Sequence, residues 1–419
     1  MSSYLGVLRH KDFRYLFLGQ SASAVGDQVA ILALVLYITQ RTGSPTDLGL
    51  VLAAGTVPLM ALILFGGVWA DRLPRHRIMI GADVTRTVLH GALAILILAG
   101  GASVAQMVVI EALFGAARAF FQPAYTGLLP QTIAEEQIQD ARALSEVTNN
   151  LAILVGPALG TILVLGVGAG EAFALDAATF VFSAAMLVRV HPRPRGEAPP
   201  PEPVLQELRA GWREVRSRSW VWVTIACFTG ALLCVYAQWY ALAPVIAREH
   251  YGGAGVFGLL ESVAGVGAVA GALLGVKWRP RRPLRAGLIL ILVWPLQDIV
   301  FALSSPLALV LPFAFATGFG FSLFGVWWET ALARHIPPHA ISRVSAYDWM
   351  GSLALLPLGF VIAGPLAGAF GARNVLGVGS AIGFVLLLVA LTPRSTRELN
   401  GTPAGAQPDQ PSSSRAMSA

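Results

Sequence analysis

The sequence predicts an all-α integral membrane protein, with twelve transmembrane helices in two pseudo-symmetric six-helix halves. Three observations predict it: scarce charge, a succession of apolar runs of spanning length, and basic residues confined to alternate loops. Of 419 residues, 55% are apolar and only 12% are charged, where water-soluble domains carry roughly 25% charged residues. At a mean hydropathy of +0.67, a soluble chain of this length would lack the polar surface it needs. A span takes about 20 mostly apolar residues, because the hydrocarbon core is about 30 Å thick and a helix rises about 1.5 Å per residue.

By that measure the first six spans fall near 14–38, 47–70, 78–100, 103–127, 142–166 and 171–190. The second six fall near 220–247, 255–277, 285–304, 307–331, 342–366 and 371–392. Their internal glycines and prolines are tolerated far better in membrane helices than in soluble ones. "SASA" (21–24) has the small residues of a signal-peptide cleavage site, but the apolar stretch before it is short and contains Arg14. It reads instead as the start of the first span.

The longest loop, "HPRPRGEAPPPEPVLQELRAGWREVRSRS" (191–219), is Pro-rich and then patterned as an amphipathic helix. It divides the chain into a first half (1–190), a cytoplasmic linker (191–219) and a second half (220–392). The remainder, 393–419, is low in complexity and is expected to be a disordered cytoplasmic tail.

With both termini inside, the loop arginines and lysines collect on the cytoplasmic side: Arg9, Lys11, Arg14, Arg72, Arg75, Arg77, Arg142, the linker, 277–285, Arg334, Arg343 and the tail. Only Arg41, Arg248 and Arg373 fall outside, and Arg86 and Arg118 lie within spans. This bias sets orientation and accounts for the net charge of +6 without a nucleic-acid partner. The expected location is the cell membrane, multi-pass. Cys227 and Cys234 sit seven apart on one helix face, roughly 10 Å, beyond the Cα reach of a disulfide. They read as small core residues.

Between the second and third spans stands "GGVWADRLPRHR" (66–77). Its spacing, Gly67-x-x-x-Asp71-Arg72-x-x-Arg75-x-Arg77, resembles the signature of the major facilitator superfamily, and the likeness covers about residues 10–392. The resemblance implies an inner gate: the acid meets neighbouring helix ends, the glycine allows close packing, and the arginines pair with carboxylates. The turn glycine usual in the family is Pro74 here. In the fifth span, Gly156-Pro157-x-x-Gly160 resembles the family's antiporter motif, with Ala152 and Thr161 where the fuller pattern has glycines. "FRYLFLGQSASAVGD" (13–27), "FFQPAYTGLLPQTI" (120–133) and "ELRAGWREV" (207–215) resemble the drug and siderophore exporter branch, which includes the enterobactin exporter and macrolide efflux proteins. The halves are faintly alike ("ARALSEV", 141–147, and "SRVSAYD", 342–348), and a parallel repeat places a transporter's substrate site between the halves.

Charges within spans cost roughly 2.5–3.5 kcal/mol on insertion scales and therefore face partners or water. Asp27, near the middle of the first span, is the leading candidate for proton coupling or substrate contact, beside the plainer reading of a structural pair. Asp83, Arg86 and His90 form one stripe on the third span. Glu111 and Arg118 lie seven apart on the fourth, and Arg118 resembles the family's proton-coupling arginine. Glu261 and Asp298 lie within the eighth and ninth spans, Asp298 the deeper. Glu329 and Asp348 are expected in salt bridges near Arg334 and Arg343; Asp176 has no evident partner. Trp220, Trp222, Trp239, Tyr240, Trp327 and Trp328 are expected mostly in interfacial belts, although Gln238, Trp239 and Tyr240 could line an amphipathic pocket.

These readings imply a secondary transporter working by alternating access, most simply a proton antiporter exporting drug-like or siderophore-like molecules. A proton-coupled importer or lipid flippase of the same fold is the nearer alternative, and a membrane sensor or enzyme the more distant one. Lys11 and Lys277 follow His and Val, so no P-loop exists. H-E-x-x-H and G-x-S-x-G are absent too. No catalytic residue, metal site or cofactor is expected; the energy source is the proton gradient. The expected partners are a small amphipathic substrate, protons and the bilayer, and the expected state is a monomer.

Overall fold

The computed structural model describes residues 4–193, 204–278 and 280–399, and a few helix side chains, Asp71 among them, lie outside the described ones. Twelve of its helices are long and apolar enough to cross a membrane, and they follow the expected spans one for one. No strand occurs among the described residues.

The first half comprises α1 (Lys11–Thr42), α2 (Pro45–Arg72), α3 (Arg75–Leu98), α4 (Val104–Leu128), α5 (Ile138–Gly166) and α6 (Ala169–Leu187). Local chemistry sets the turns. Gly43, at φ 64°, ends α1 in a left-handed residue. Ser44 then accepts from the Asp47 N–H, with Pro45 opening α2. Ser103 and Gln106 form a reciprocal capping box on α4. The expected amphipathic linker helix is present as α7 (Val204–Ser217).

In the second half α8 (Ser219–Ala231) passes through a π-turn at Leu232–Tyr236 into α9 (Ala237–His250). Then follow α10 (Gly255–Lys277), the broken span α11 (Pro283–Ile291) and α12 (Val293–Ala302), and α13 (Leu307–His335). A second broken helix, α14 (Pro338–Leu353) and α15 (Leu356–Phe370), precedes α16 (Ala372–Ala390). Within the expected tail, Arg394–Glu398 is a further helical turn, α17, with Thr396 buried, and residues 400–419 lie outside the described ones.

The halves repeat each other in their closest helix approaches. In the first, glycines bring α2 against α4: Gly66 meets the Ala119 carbonyl and Gly115 the Gly55 carbonyl. In the second, Gly267 meets Phe315 and Gly318 meets Ala264, bringing α10 against α13. A Cβ at any of these positions would strike backbone; small residues are what let membrane helices approach so closely.

Three apolar cores divide the molecule. One is shared by both halves, joining Leu36, Val51 and Phe173 to Trp239, Phe257 and Phe360. The others belong to one half each, around Phe13, Met79 and Leu128 and around Trp220, Leu288 and Trp328. The shared core lies at the ends of the helices away from the termini. There Gly364 packs on Thr46, Gly258 packs on Thr161, and Arg248 donates to the Thr39 carbonyl at 2.7 Å. At the terminus end the cores are separate, and Phe65, Trp69, Trp349 and Met350 are exposed. Among the described residues, the halves share a core at one end and keep separate cores at the other.

The aromatic belt reading needs correction. Trp220, Trp239, Trp327 and Trp328 are buried, and Trp222 alone of the five expected belt tryptophans is exposed. Trp220 and Trp328 pack edge to face, and the Trp328 indole donates to Asp348 at 2.8 Å. Asp348 is thus held by a tryptophan, and the side chain of Arg343, one of its expected partners, lies outside the described residues. Helix-end position alone did not separate side chains turned to lipid from side chains turned to a neighbouring helix.

Candidate functional site

Polar side chains converge inside the first half. On α3 the stripe of Asp83, Arg86 and His90 is wholly buried. Helix α6 answers it with Asp176, Thr179 and Ser183 at the same spacing, α1 with Asp27, and α4 with Glu111.

Arg86, 2% exposed, lies between the rings of Phe121 and Phe180, 4.1 and 4.3 Å from their centroids. Ring faces attract a cation, most strongly away from water. Its guanidinium pairs with Asp83 Oδ1 and stands 4.0 Å from Asp27 Oδ2. The other Asp83 oxygen accepts from Ser183 Oγ at 2.7 Å, and Ser183 accepts from Gln20 at 3.0 Å.

His90 bridges two acids. Its Nδ1 lies 2.5 Å from Asp176 Oδ2 and its Nε2 lies 3.6 Å from Glu111 Oε1. Its ring stacks on Phe114 at 3.9 Å, which fixes the plane in which both nitrogens point. Gly26 makes the room: a Cβ there would collide with the Asp176 carboxylate. The pair Gly26-Asp27 thus admits one acid from α6 while presenting another from α1.

Four carboxylates here face one guanidinium and one imidazole. Even with His90 charged, negative charge is in excess, and an unpaired buried charge is strongly destabilising. Binding protons removes the excess. Access is at Asp27, whose side chain is 25% exposed, while Asp83 and Asp176 are sealed.

Arg118 stays outside this group. It shares a helix face with Glu111 but lies about 10 Å further along the axis, exposed and with no ion pair among the described residues. Glu111 turns instead to His90. Asp298 is buried in the second half, where it accepts from Ser380 Oγ at 3.3 Å while its other oxygen has no partner. It lies as many residues past Pro283 as His90 lies past Arg75, and Ser380 comes from the helix equivalent to that of Asp176. The two halves therefore bury polar pairs at matching places.

In the gate motif, Arg75 donates to the Gly127 carbonyl at 2.5 Å and the Ala70 carbonyl at 3.3 Å, tying the ends of α4 and α2 within one half. Arg72 and Arg77 are exposed. A Cβ at Gly67 would meet nothing, and the tight glycine is its neighbour Gly66. Pro74 stands as the N-cap of α3. In the antiporter-like stretch, Gly156 sits on Gln28, and Gly160 on Val29 and Leu32, bringing α5 onto α1. Pro157 lies inside α5, its carbonyl accepting from Thr161 Oγ1 at 2.7 Å. Thr161 also fills the space left by Gly258 of the other half.

Sequence reasoning left Asp176 without a place, yet the signal existed. Asp176, Thr179 and Ser183 recur at i, i+3 and i+7, the pattern that singled out α3.

Comparison with known proteins agrees with this architecture. Residues 2–293 match the family model described as transmembrane secretion effector. The multidrug efflux pump Tap of Mycolicibacterium fortuitum is 28% identical over 401 residues, covering 92% of this chain and 96% of that protein. Macrolide efflux protein A of Streptococcus pyogenes is 24% identical over 266 residues, 63% of this chain and 64% of that protein. Among solved structures, the nucleoside transporter NupG superposes with a TM-score of 0.68 at 11% identity, covering 90% of this chain and 98% of that one. A bacterial homologue of the human lysosomal transporter Spinster, in its inward-facing unoccupied conformation, gives 0.64 at 14% identity, covering 94% and 97%. At such identities the likeness to the solved structures is one of fold.

Proposed function

Since the chain belongs to the transmembrane secretion effector family of major facilitator transporters, we propose that it exports small amphipathic molecules in exchange for protons. The chain is a multi-pass membrane transporter, not an enzyme; direction, coupling and cargo are the substance of the proposal. One observation supports it: part-exposed Asp27 stands at the edge of a buried group in which Asp83, Asp176 and Glu111 face Arg86 and His90, so that carboxylates outnumber cationic side chains.

In the proposed mechanism, a cleft between the halves opens to the cytoplasm, the side to which the basic loops assign the chain ends and linker. Cargo enters between the parted halves. Binding draws Asp27 into water and leaves Arg86 wholly to Asp83, which then gives up its proton. The halves then rock about the end held by Arg248, Thr161 and Gly258. The shared core opens, the motif around Asp71 closes, and the group takes up a proton from outside. A carboxylate binds a proton more tightly when desolvated and less tightly beside a cation. A guanidinium that moves between Asp83 and Asp27 therefore couples helix movement to proton number.

The test is efflux of amphipathic dyes, macrolides and siderophores from cells making the protein, with and without a protonophore. Outward movement abolished by the protonophore is the expected result. Energised accumulation inside the cells would contradict export.

A further inference from the structure

The second half holds a carboxylate that the first-half group does not reach. Glu261 of α10 accepts from the Trp239 indole at 2.8 Å and from the Tyr240 hydroxyl at 3.0 Å. Both donors are neutral, and no Lys, Arg or His pairs with it among the described residues. Tyr236 lies 4.6 Å from Tyr240, ring to ring, and Phe257 packs against both Trp239 and Tyr240.

The group lies at the border of two apolar cores. Tyr236 packs on both the shared core and the second-half core, which places it where the halves begin to part. On α10 the exposed Leu259 lies about 160° round the helix from Glu261, so the carboxylate turns away from lipid and into the bundle. Glu261, Tyr236 and Tyr240 are half-buried, while Trp239 is 3% exposed. The π-turn of Leu232–Tyr236 ends on this wall, and such turns within helices are frequent at functional sites.

An ionised carboxylate in a membrane interior is stabilised by a positive charge beside it, and without one it takes up a proton. The first-half acids have Arg86 and His90 beside them; Glu261 has an aromatic wall. Indole and phenol faces attract organic cations, increasingly as water is excluded, and apolar groups on such a cation find Phe257 and Tyr236 alongside. We propose that Glu261, Trp239, Tyr236 and Tyr240 form the cargo site, and that it selects lipophilic organic cations. The proposal rests on the transporter reading above and assigns its cargo class.

Tetraphenylphosphonium and tetraphenylborate have nearly the same shape and opposite charge, so the pair isolates the charge requirement. Equilibrium binding of each is measured on the whole protein in phosphatidylcholine nanodiscs, with empty discs subtracted. The wild type is expected to hold the phosphonium about tenfold or more tighter than the borate. Glu261→Asp should keep the preference and Glu261→Gln, which can still accept from Trp239, should lose it. Equal affinities, a preference unchanged in Glu261→Gln, or no saturable phosphonium binding would each overturn the assignment. Binding is read without a gradient, so His90→Gln should keep the preference even where it uncouples transport. The two readings therefore fail separately.

Discussion

At the scale of residues, the account turns on His90 and what it holds. Removing one partner from a buried charged pair leaves the other uncompensated, at a cost of about 3–5 kcal/mol. His90→Ala should therefore lower thermal stability as well as transport. His90→Gln can still bond to Asp176 and should retain more folded protein while losing proton dependence, read as efflux rate across pH 6–8. Ser183→Ala removes one hydrogen bond to Asp83, about 1–2 kcal/mol, with coupling kept. Gly26→Leu should fold poorly or displace Asp176, because no side chain fits between α1 and α6 there. The sequence marked Asp27, Asp83, Arg86 and Glu111 as charges that apolar helices would not carry idly. It could not pair them, because which charge meets which depends on how four helices are rotated against one another. Glu111 and Arg118 share a helix face and still differ, one buried and one exposed.

At the scale of elements, nearly all was legible. Twelve spans, the amphipathic linker helix and the turn residues at Gly43, Ser44 and Ser103 follow from composition and capping chemistry. The π-turn at Leu232–Tyr236 and the break at Leu292 leave no such mark, being adjustments of apolar helices to their neighbours. The same holds for Gly66, which looks identical to Gly67 until α4 is placed against it. Gly66→Leu should abolish folding, seen as loss of monodisperse protein on size-exclusion chromatography, whereas Gly67→Ala should fold normally. Arg248 donates its bond to a carbonyl at the end of α1, where helix geometry leaves carbonyls unsatisfied and negative. Arg248→Gln should weaken closure there. The expected reading is faster modification of a cysteine placed at Thr161, in a background lacking Cys227 and Cys234.

At the scale of the whole molecule, one core is shared by the halves and two belong to one half each. On the proposed mechanism, closing the terminus end would cover Phe65, Trp69, Trp349 and Met350, which are exposed here, and would part Thr161 from Gly258. Spin labels at positions 69 and 349 should therefore approach one another when the protein is held outward-facing. Internal repetition was faint in the sequence and is plain in the packing of α2 on α4 and α10 on α13. Small-residue contacts conserve a spacing rather than a string of letters.

The most direct test of the central claim is proton counting. Purified protein is reconstituted in liposomes containing a pH-sensitive dye, and tetraphenylphosphonium is added with no imposed gradient. The account predicts proton movement opposite to the cation, absent in empty liposomes and lost in the His90→Gln variant. Cation uptake at the wild-type rate with no accompanying proton flux would contradict it.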